Sequence, residues 1–307
     1  MRSKLFVPGS RKELFTKAVN SHADAISLDL EDSVSDGLKD HARQNVATFL
    51  QSLDVQACKK NIVVRCNAVE TPYFLADLDA IVHPAISMIN LPKVETCAEV
   101  RAAINSIEQA ENDKGLTTGI RILITIESAR GLLSAAELAS AHPRIAGLQL
   151  GLNDLFGSLG VDRQDTDNIH AVMFAVRMAA GAADVCVYDG AFTDIENESG
   201  FRAEARMAFQ MGYHGKSCIH PRQVPLANSI FTPSEKDIEL AVRILEKSRS
   251  AEAEDLGAFT LDGKMIDLPI IRRAEALVAA SLRIKEVAKT DILFDDIAES
   301  PQTKATN

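Results

Sequence analysis

Apolar runs of four to seven residues recur along the chain, and between them apolar positions fall at helical spacing. The runs predict strands near 4–7, 25–30, 61–66, 86–91, 120–126, 145–150, 184–188 and 213–218. The stretches between them predict helices at roughly 11–20, 36–53, 72–80, 96–112, 131–140, 167–182 and 198–211. Strands alternating with helices mark repeated βα units. Eight of them, spaced by about 30 residues, favour a closed (β/α)8 TIM barrel over an open doubly wound sheet. No strand–GxGxxG–helix unit and no Walker loop is present, which weighs against a dinucleotide-binding fold.

Four of the predicted strands run into a charged residue. Residues 25–30 lead into Glu31 and Asp32, 61–64 into Arg65, 121–126 into Glu127, and 148–153 into Asp154. A parallel barrel builds its active site at the carboxyl ends of its strands, so four such ends imply a rim of charges around one pocket. Glu127 and Asp154 follow consecutive strands, which lie about 5 Å apart. Two carboxylates there can share a hard cation such as Mg²⁺, with waters and substrate oxygens in the other positions. Such an ion polarises a bound carbonyl. The competing reading is that one or both acids cap the helix that follows.

Glu31 and Asp32 alternate sides on an extended chain, so one of them points into the pocket. Their tasks divide between holding metal-bound water and, for Asp32 or Ser33, capping the helix at 36–53. The planar fork of Arg65 suits a carboxylate or an enolate oxygen, and it stays cationic. A structural ion pair with Glu31 or Asp32 is the alternative. His220, beside Pro221, reads more simply as a turn residue than as a ligand contact. The other histidines show no HxxxH or HExxH spacing, which disfavours zinc. Cys66 and Cys218 stand at strand ends without an evident base, so neither reads as a nucleophile.

The 307 residues, 46% apolar and 25% charged, suit one large barrel with a sizeable core. A net charge of −10 argues against nucleic acid or an anionic membrane as partner. No apolar run reaches the roughly 18 residues that span a bilayer, and the apolar run at the start is too short for a secretory signal. The five scattered cysteines, with no CxxC, read as free thiols in a reducing compartment, and a cytoplasmic location is expected.

Beyond a barrel domain at 1–232 the pattern changes. Ser234 and Asp237 form a weaker capping box for a helix that runs to about Glu254. Asp262-Gly263 between two short apolar runs signals a hairpin, and a final helix is expected near 270–289. Residues 233–295 read as an extension that covers a barrel mouth, its own or a neighbour's. The polar tail at 296–307 is expected to be disordered.

Several segments match a known pattern: Arg2-Ser-Lys-Leu-Phe-Val-Pro-Gly9, Asp29-Leu-Glu-Asp32, Val64-Arg65-Cys-Asn67, Leu91-Pro92-Lys93, Ile126-Glu127-Ser-Ala129, Gly215-Lys216 with Pro221-Arg222-Gln223, and Gly263-Lys-Met-Ile-Asp267. Together, from residue 2 to about 275, they resemble the citrate lyase β-subunit family of the HpcH/HpaI aldolase superfamily, which includes malyl-CoA and citramalyl-CoA lyases. The resemblance implies a (β/α)8 barrel, Mg²⁺, and reversible carbon–carbon cleavage of a 3-hydroxyacyl thioester. It implies that Glu127 and Asp154 ligate Mg²⁺, and that Glu31 and Asp32 hold metal-bound water. Arg65 would bind the enolate oxygen and the oxo acid, with Glu127, Pro92 and Lys93 completing the substrate site. Asp267 would be the acid/base at the acetyl methyl carbon, although by position alone it reads as a helix N-cap ahead of Leu268-Pro269. The family's C-terminal segment covers a neighbouring subunit's site, so a homotrimer or hexamer is implied.

Departures refine this. Gly151-Leu-Asn-Asp154-Leu-Phe-Gly157 is closer to the acyl-CoA lyases than to the Ala-Phe-Asp form of citrate lyase β-subunits, and His220 stands where those subunits tend to have Asn. Both favour a free CoA thioester. Asp32 occupies the place where related CoA-independent aldolases carry a histidine base. The adenine and 3′-phosphate of CoA need cations, for which Arg11, Lys12 and Lys17 are candidates, a solvated helix face being the competing reading. The expected function is a Mg²⁺-dependent lyase that releases acetyl-CoA and pyruvate or glyoxylate, with (S)-citramalyl-CoA the favoured substrate. A citryl-ACP lyase subunit and a non-catalytic assembly subunit are the alternatives.

Overall fold

The computed structural model describes residues 1–117, 119–253 and 257–298. Contacts divide these into two units, one ending at Phe231 and the other starting at Thr232.

The first unit is the expected barrel. Its strands are β1 (Ser3–Pro8), β2 (Ala25–Asp29), β3 (Asn61–Arg65), β4 (Met88–Leu91), β5 (Arg121–Ile126), β6 (Ile145–Leu150), β7 (Cys186–Tyr188) and β8 (Lys216–Cys218). All pairings are parallel, in the order β7-β6-β5-β4-β3-β2-β1-β8. At the seam between β7 and β8 a lone parallel bridge pairs Asp189 with Lys216. There Asp189 N donates to Gly215 O at 2.8 Å and Ser217 N to Asp189 O at 3.0 Å, so the barrel is nearly closed.

Side-chain alternation sorts the strands into two layers. One set, including Val7, Leu28, Val64, Leu91, Ile124 and Leu150, joins apolar helix residues such as Val46, Phe49, Ile104 and Val176 in one large buried cluster. The alternate set faces inward. Near the amino ends Val63, Met88, Leu123 and Tyr188 form a small apolar cluster. Two residues further along their strands stand Arg65, Asn90 and Thr125, beginning the polar layer that leads to the carboxyl ends.

The helix at 36–53 starts as a 3-10 turn, Asp36–Leu38, before Lys39–Leu50, and that at 131–140 is two pieces, Ala129–Leu133 and Ala135–Ser140. Three helices were not expected: Leu53–Ala57, Leu152–Leu159 and Gln223–Ile230. Each has eight residues or fewer, too short a window for a helical period to stand out. Leu152–Leu159 also begins in a Gly-Leu-Asn-Asp stretch that reads as a loop, and it stops at Gly160 with φ +67°.

In the second unit the Ser234 hydroxyl accepts from Asp237 N at 3.2 Å, ahead of a helix at Glu235–Ala253. A hairpin follows, β9 (Ala258–Leu261) and β10 (Lys264–Asp267). Its turn residues Asp262 and Gly263 have φ of 50° and 75°, as a type I′ turn requires. The last helix, Leu268–Ala298, extends well past the expected end. Of the tail expected at 296–307, residues 296–298 are helical and the rest lies outside the described residues. Among the described residues no helix is long and apolar enough to cross a membrane.

Candidate active site

The carboxyl ends of β2 and β3 meet in a fork-to-fork pair. Asp29 and Arg65 are register partners. Arg65 Nε and Nη2 donate to Asp29 Oδ1 and Oδ2, each at 2.7 Å. Arg65 Nη1 reaches Glu31 Oε2 at 2.9 Å and stays 3.9 Å from Asp32. The structural ion pair foreseen for Arg65 is present, and its guanidinium also lines a cavity. Burial works against the guanidinium charge, but Asp29, Glu31 and Glu127 hold it well above its ordinary range.

Lys93 follows β4 in left-handed backbone, φ 55°. That turn aims its own N–H at Glu127 Oε1, 2.8 Å away. Its ammonium reaches Glu31 Oε1 at 2.5 Å and Asp32 Oδ1 at 2.9 Å. Glu31 is thus clasped between two cations. Burial still raises its carboxyl above the usual range, against the pull of Arg65. The loop is pinned from below by the buried Lys39, which donates to the Leu30 and Glu31 carbonyls, both at 2.8 Å.

Glu127 directly follows β5 and is 5% exposed. It caps nothing: Ser128 Oγ accepts from Gly131 N at 3.0 Å and serves the next helix. Asp154 stands in the first turn of Leu152–Leu159. Arg65, Glu127 and Asp154 line one cavity of about 210 Å³. Burial, then the charges of Glu31 and Asp154, push the Glu127 carboxyl up to about 8, with Arg65 and the Lys93 N–H opposing. A buried carboxylate facing like charges is a place where a divalent cation is stabilised, and two hard oxygen donors suit Mg²⁺. No trio of His, Cys, Asp or Glu side chains is arranged to hold an ion among the described residues. An ion at Glu127 and Asp154 would take its other positions from waters and ligand oxygens.

Gly151 leaves room for Glu127. A Cβ at that position would lie 2.5 Å from Glu127 Cβ and 2.9 Å from its Oε2. Gly151→Ala is expected to displace the carboxylate and weaken Mg²⁺ binding about tenfold or more, the scale of losing support for a metal ligand. Titration calorimetry with Mg²⁺ reads this directly; unchanged affinity would sink it.

Asp29 is the member of the site that the sequence reading missed. It is 1% exposed and also accepts from Glu31 N at 3.1 Å and Ser33 N at 3.2 Å. The Ser33 hydroxyl donates to it as well, so Ser33 does not cap the next helix. Burial raises the Asp29 carboxyl, but Arg65 and these hydrogen bonds more than reverse that, and it lies below the ordinary range. A carboxyl depressed in the folded state contributes stability above its unfolded value, about 3.9, and loses it as pH falls further. The urea midpoint should therefore drop steeply below about pH 4. Asp29→Asn should flatten that branch; an unchanged acid limb would contradict the assignment.

The other expected site residues are not among those that line this cavity. Pro92 is buried after β4, and neither it nor Lys93 is among the cavity-lining residues. Arg11 pairs with Glu13, and Arg11, Lys12 and Lys17 are likewise absent from the lining. Asp267 ends β10 in the second unit, half-buried and just ahead of the helix at Leu268. His220 Nδ1 accepts from Arg222 N at 3.2 Å, the turn role expected. All five cysteines are free; burial pushes Cys66 well up and Cys218 up to about 12, which suits no nucleophile.

Comparison with known proteins gives a consistent picture. The family model for HpcH/HpaI aldolase/citrate lyase matches residues 2–221. A citrate lyase subunit beta of Leuconostoc mesenteroides subsp. cremoris is 33% identical over 296 residues, covering 96% of this chain and 95% of that one. An L-malyl-CoA/beta-methylmalyl-CoA lyase of Cereibacter sphaeroides is 35% identical, covering 90% and 93%. The crystal structure of CitE from Mycobacterium tuberculosis in complex with magnesium, acetoacetate and coenzyme A superposes with a TM-score of 0.73 at 32% identity, covering 92% and 99%.

Proposed function

The chain belongs to the HpcH/HpaI aldolase/citrate lyase family, and from that premise we propose that it is a Mg²⁺-dependent carbon–carbon lyase that splits a 3-hydroxyacyl-CoA thioester into acetyl-CoA and a 2-oxo acid. The observation that carries this is the meeting of Arg65, Glu127 and Asp154 in one cavity. (S)-Citramalyl-CoA, giving pyruvate, is the favoured substrate, and malyl-CoA, giving glyoxylate, is next. The malyl-CoA lyase relative, and the magnesium and coenzyme A bound by the Mycobacterium tuberculosis protein, support a free CoA thioester. The citrate lyase relative supports citryl-ACP as the other reading.

Cleavage of the C2–C3 bond turns the 3-hydroxyl into the oxo acid's carbonyl, its proton passing to water, and leaves an electron pair on the thioester α-carbon, delocalised as an enolate. Arg65 answers that charge: Asp29 fixes the plane of its fork, Glu31 takes one Nη1 hydrogen, and both Nη atoms keep N–H donors for a ligand oxygen. Its donors are in place before the reaction, so no reorganisation is spent on them. Mg²⁺ held by Glu127 and Asp154 would polarise the carbonyl of the oxo acid. In this reading Glu31 and Asp32 accept hydrogen bonds from metal-bound water, and their ion pairs with Lys93 support it by fixing both side chains. Asp267 exchanges the proton with the acetyl methyl carbon, on a segment supplied by a neighbouring subunit of a trimer or hexamer. Scattered free thiols suit a cytoplasmic location.

The test is incubation with Mg²⁺ and citramalyl-CoA, malyl-CoA or citryl-ACP, with detection of the oxo acid released. Pyruvate from citramalyl-CoA is expected. No oxo acid from any of the three would overturn the proposal, and oxaloacetate from citryl-ACP alone would move it to the carrier-protein reading.

A further inference from the structure

Beneath the rim, the barrel interior holds a charged group that the lyase chemistry leaves unused. Lys4 lies in β1 as the register partner of Ser217 on β8, and it is 1% exposed. Its Nζ donates to Gln149 Oε1 on β6. The same ammonium lies 5.1 Å from the centre of the Phe6 ring, and the Arg65 guanidinium carbon lies 5.3 Å from that ring. Gln149, Ser217 and Phe6 line the cavity, with Lys4 behind them.

The chemistry of this cluster has a direction. An ammonium offers only N–H groups, so the Gln149 oxygen faces Lys4 and its NH₂ is left as a donor for something else. Ser217 Oγ is buried and has no hydrogen-bond partner. A buried polar atom left unpaired costs free energy, which a ligand oxygen recovers. Burial, then the charge of Arg65, push the Lys4 ammonium down to about 7. An apolar side chain would fill this interior without that penalty, so packing does not account for a lysine here.

We propose that Gln149, oriented by Lys4, and Ser217 bind an acceptor oxygen of the 2-oxo acid at the cavity floor and set the selectivity of the acid half of the reaction. This rests on the lyase reading above. Gln149 and Ser217 are donors, and a carboxylate or carbonyl oxygen is their complement. Lys4 is a positioning residue that acts through Gln149.

The test uses the full chain in the condensation direction, with acetyl-CoA and pyruvate or glyoxylate. Gln149→Leu should raise the oxo-acid KM about tenfold or more while leaving the acetyl-CoA KM within about twofold. Gln149→Glu, nearly the same size and still paired with Lys4, should raise it further, because a carboxylate then faces a carboxylate. Lys4→Met should raise the same KM, and the Lys4→Met/Gln149→Leu double variant should be no worse than Gln149→Leu alone. Calorimetric binding of pyruvate with Mg²⁺ to wild type and the Gln149 variants judges the floor without turnover, so failure of the lyase reading is seen separately. If Gln149→Leu does not fold, Gln149→Glu carries the test. An unchanged oxo-acid KM and affinity, an equal rise in both KM values, or additive effects of Lys4 and Gln149 would each overturn the proposal.

Discussion

Arg65→Met is expected to cut turnover of the CoA thioester by about a thousandfold or more, at the upper end of what one preorganised oxyanion donor supplies. The size follows from what the fork does. Asp29 and Glu31 hold Arg65 in one orientation, so in the proposed reaction its remaining N–H donors would meet the enolate oxygen without moving. Lysine brings the charge but not the fork, so Arg65→Lys should recover only part of the loss. The variant also leaves Asp29 and Glu31 buried without their shared partner. Breaking a buried pair from one side costs about 3–5 kcal/mol, so urea unfolding should shift with it. Single-turnover rates on the folded variant separate the two effects. Turnover within tenfold of wild type would remove Arg65 from the chemistry.

Much of this was legible in the sequence because buried parallel strands are short, apolar and evenly spaced. All eight appear where the apolar runs lie, and the hairpin at Asp262-Gly263 follows from turn chemistry alone. Glu127 and Arg65 were legible because each stands at or directly past a strand end, whereas Asp154 lies beyond β6 in the first turn of the helix that follows. Asp29 was not legible, because it lies inside the apolar run and looks like part of it. Its signal was alternation: Asp29 and Glu31 fall on the same side of an extended chain, and both bond Arg65. The clasp of Lys93 on Glu31 could not be read, since it depends on a left-handed residue after β4 that is not glycine. The ion pair of Lys216 with Asp189, 2.5 Å apart and fully buried at the barrel seam, was equally hidden. Those residues are 27 apart, and only closure of the sheet brings them together.

Asp267→Asn is expected to lower turnover by about a thousandfold, within the range of a lost general acid or base, while Mg²⁺ and substrate bind as before. Asparagine keeps the size and the hydrogen-bonding reach of the side chain but cannot take up or return the methyl proton. Calorimetry with Mg²⁺ and the rapid-quench rate of oxo-acid release report the two halves. Loss of metal affinity would overturn the role. The sharper experiment asks which subunit supplies the carboxylate. Neither Arg65→Met nor Asp267→Asn chains should be active alone. In the proposed trimer or hexamer, reassembled from a one-to-one mixture, about a quarter of the sites would pair an intact Arg65 with an intact Asp267 from the next chain. Activity near that fraction is expected if the C-terminal segment serves a neighbour. An inactive mixture would place Asp267 with the barrel of its own chain, because each chain then carries one lesion in the only site it serves.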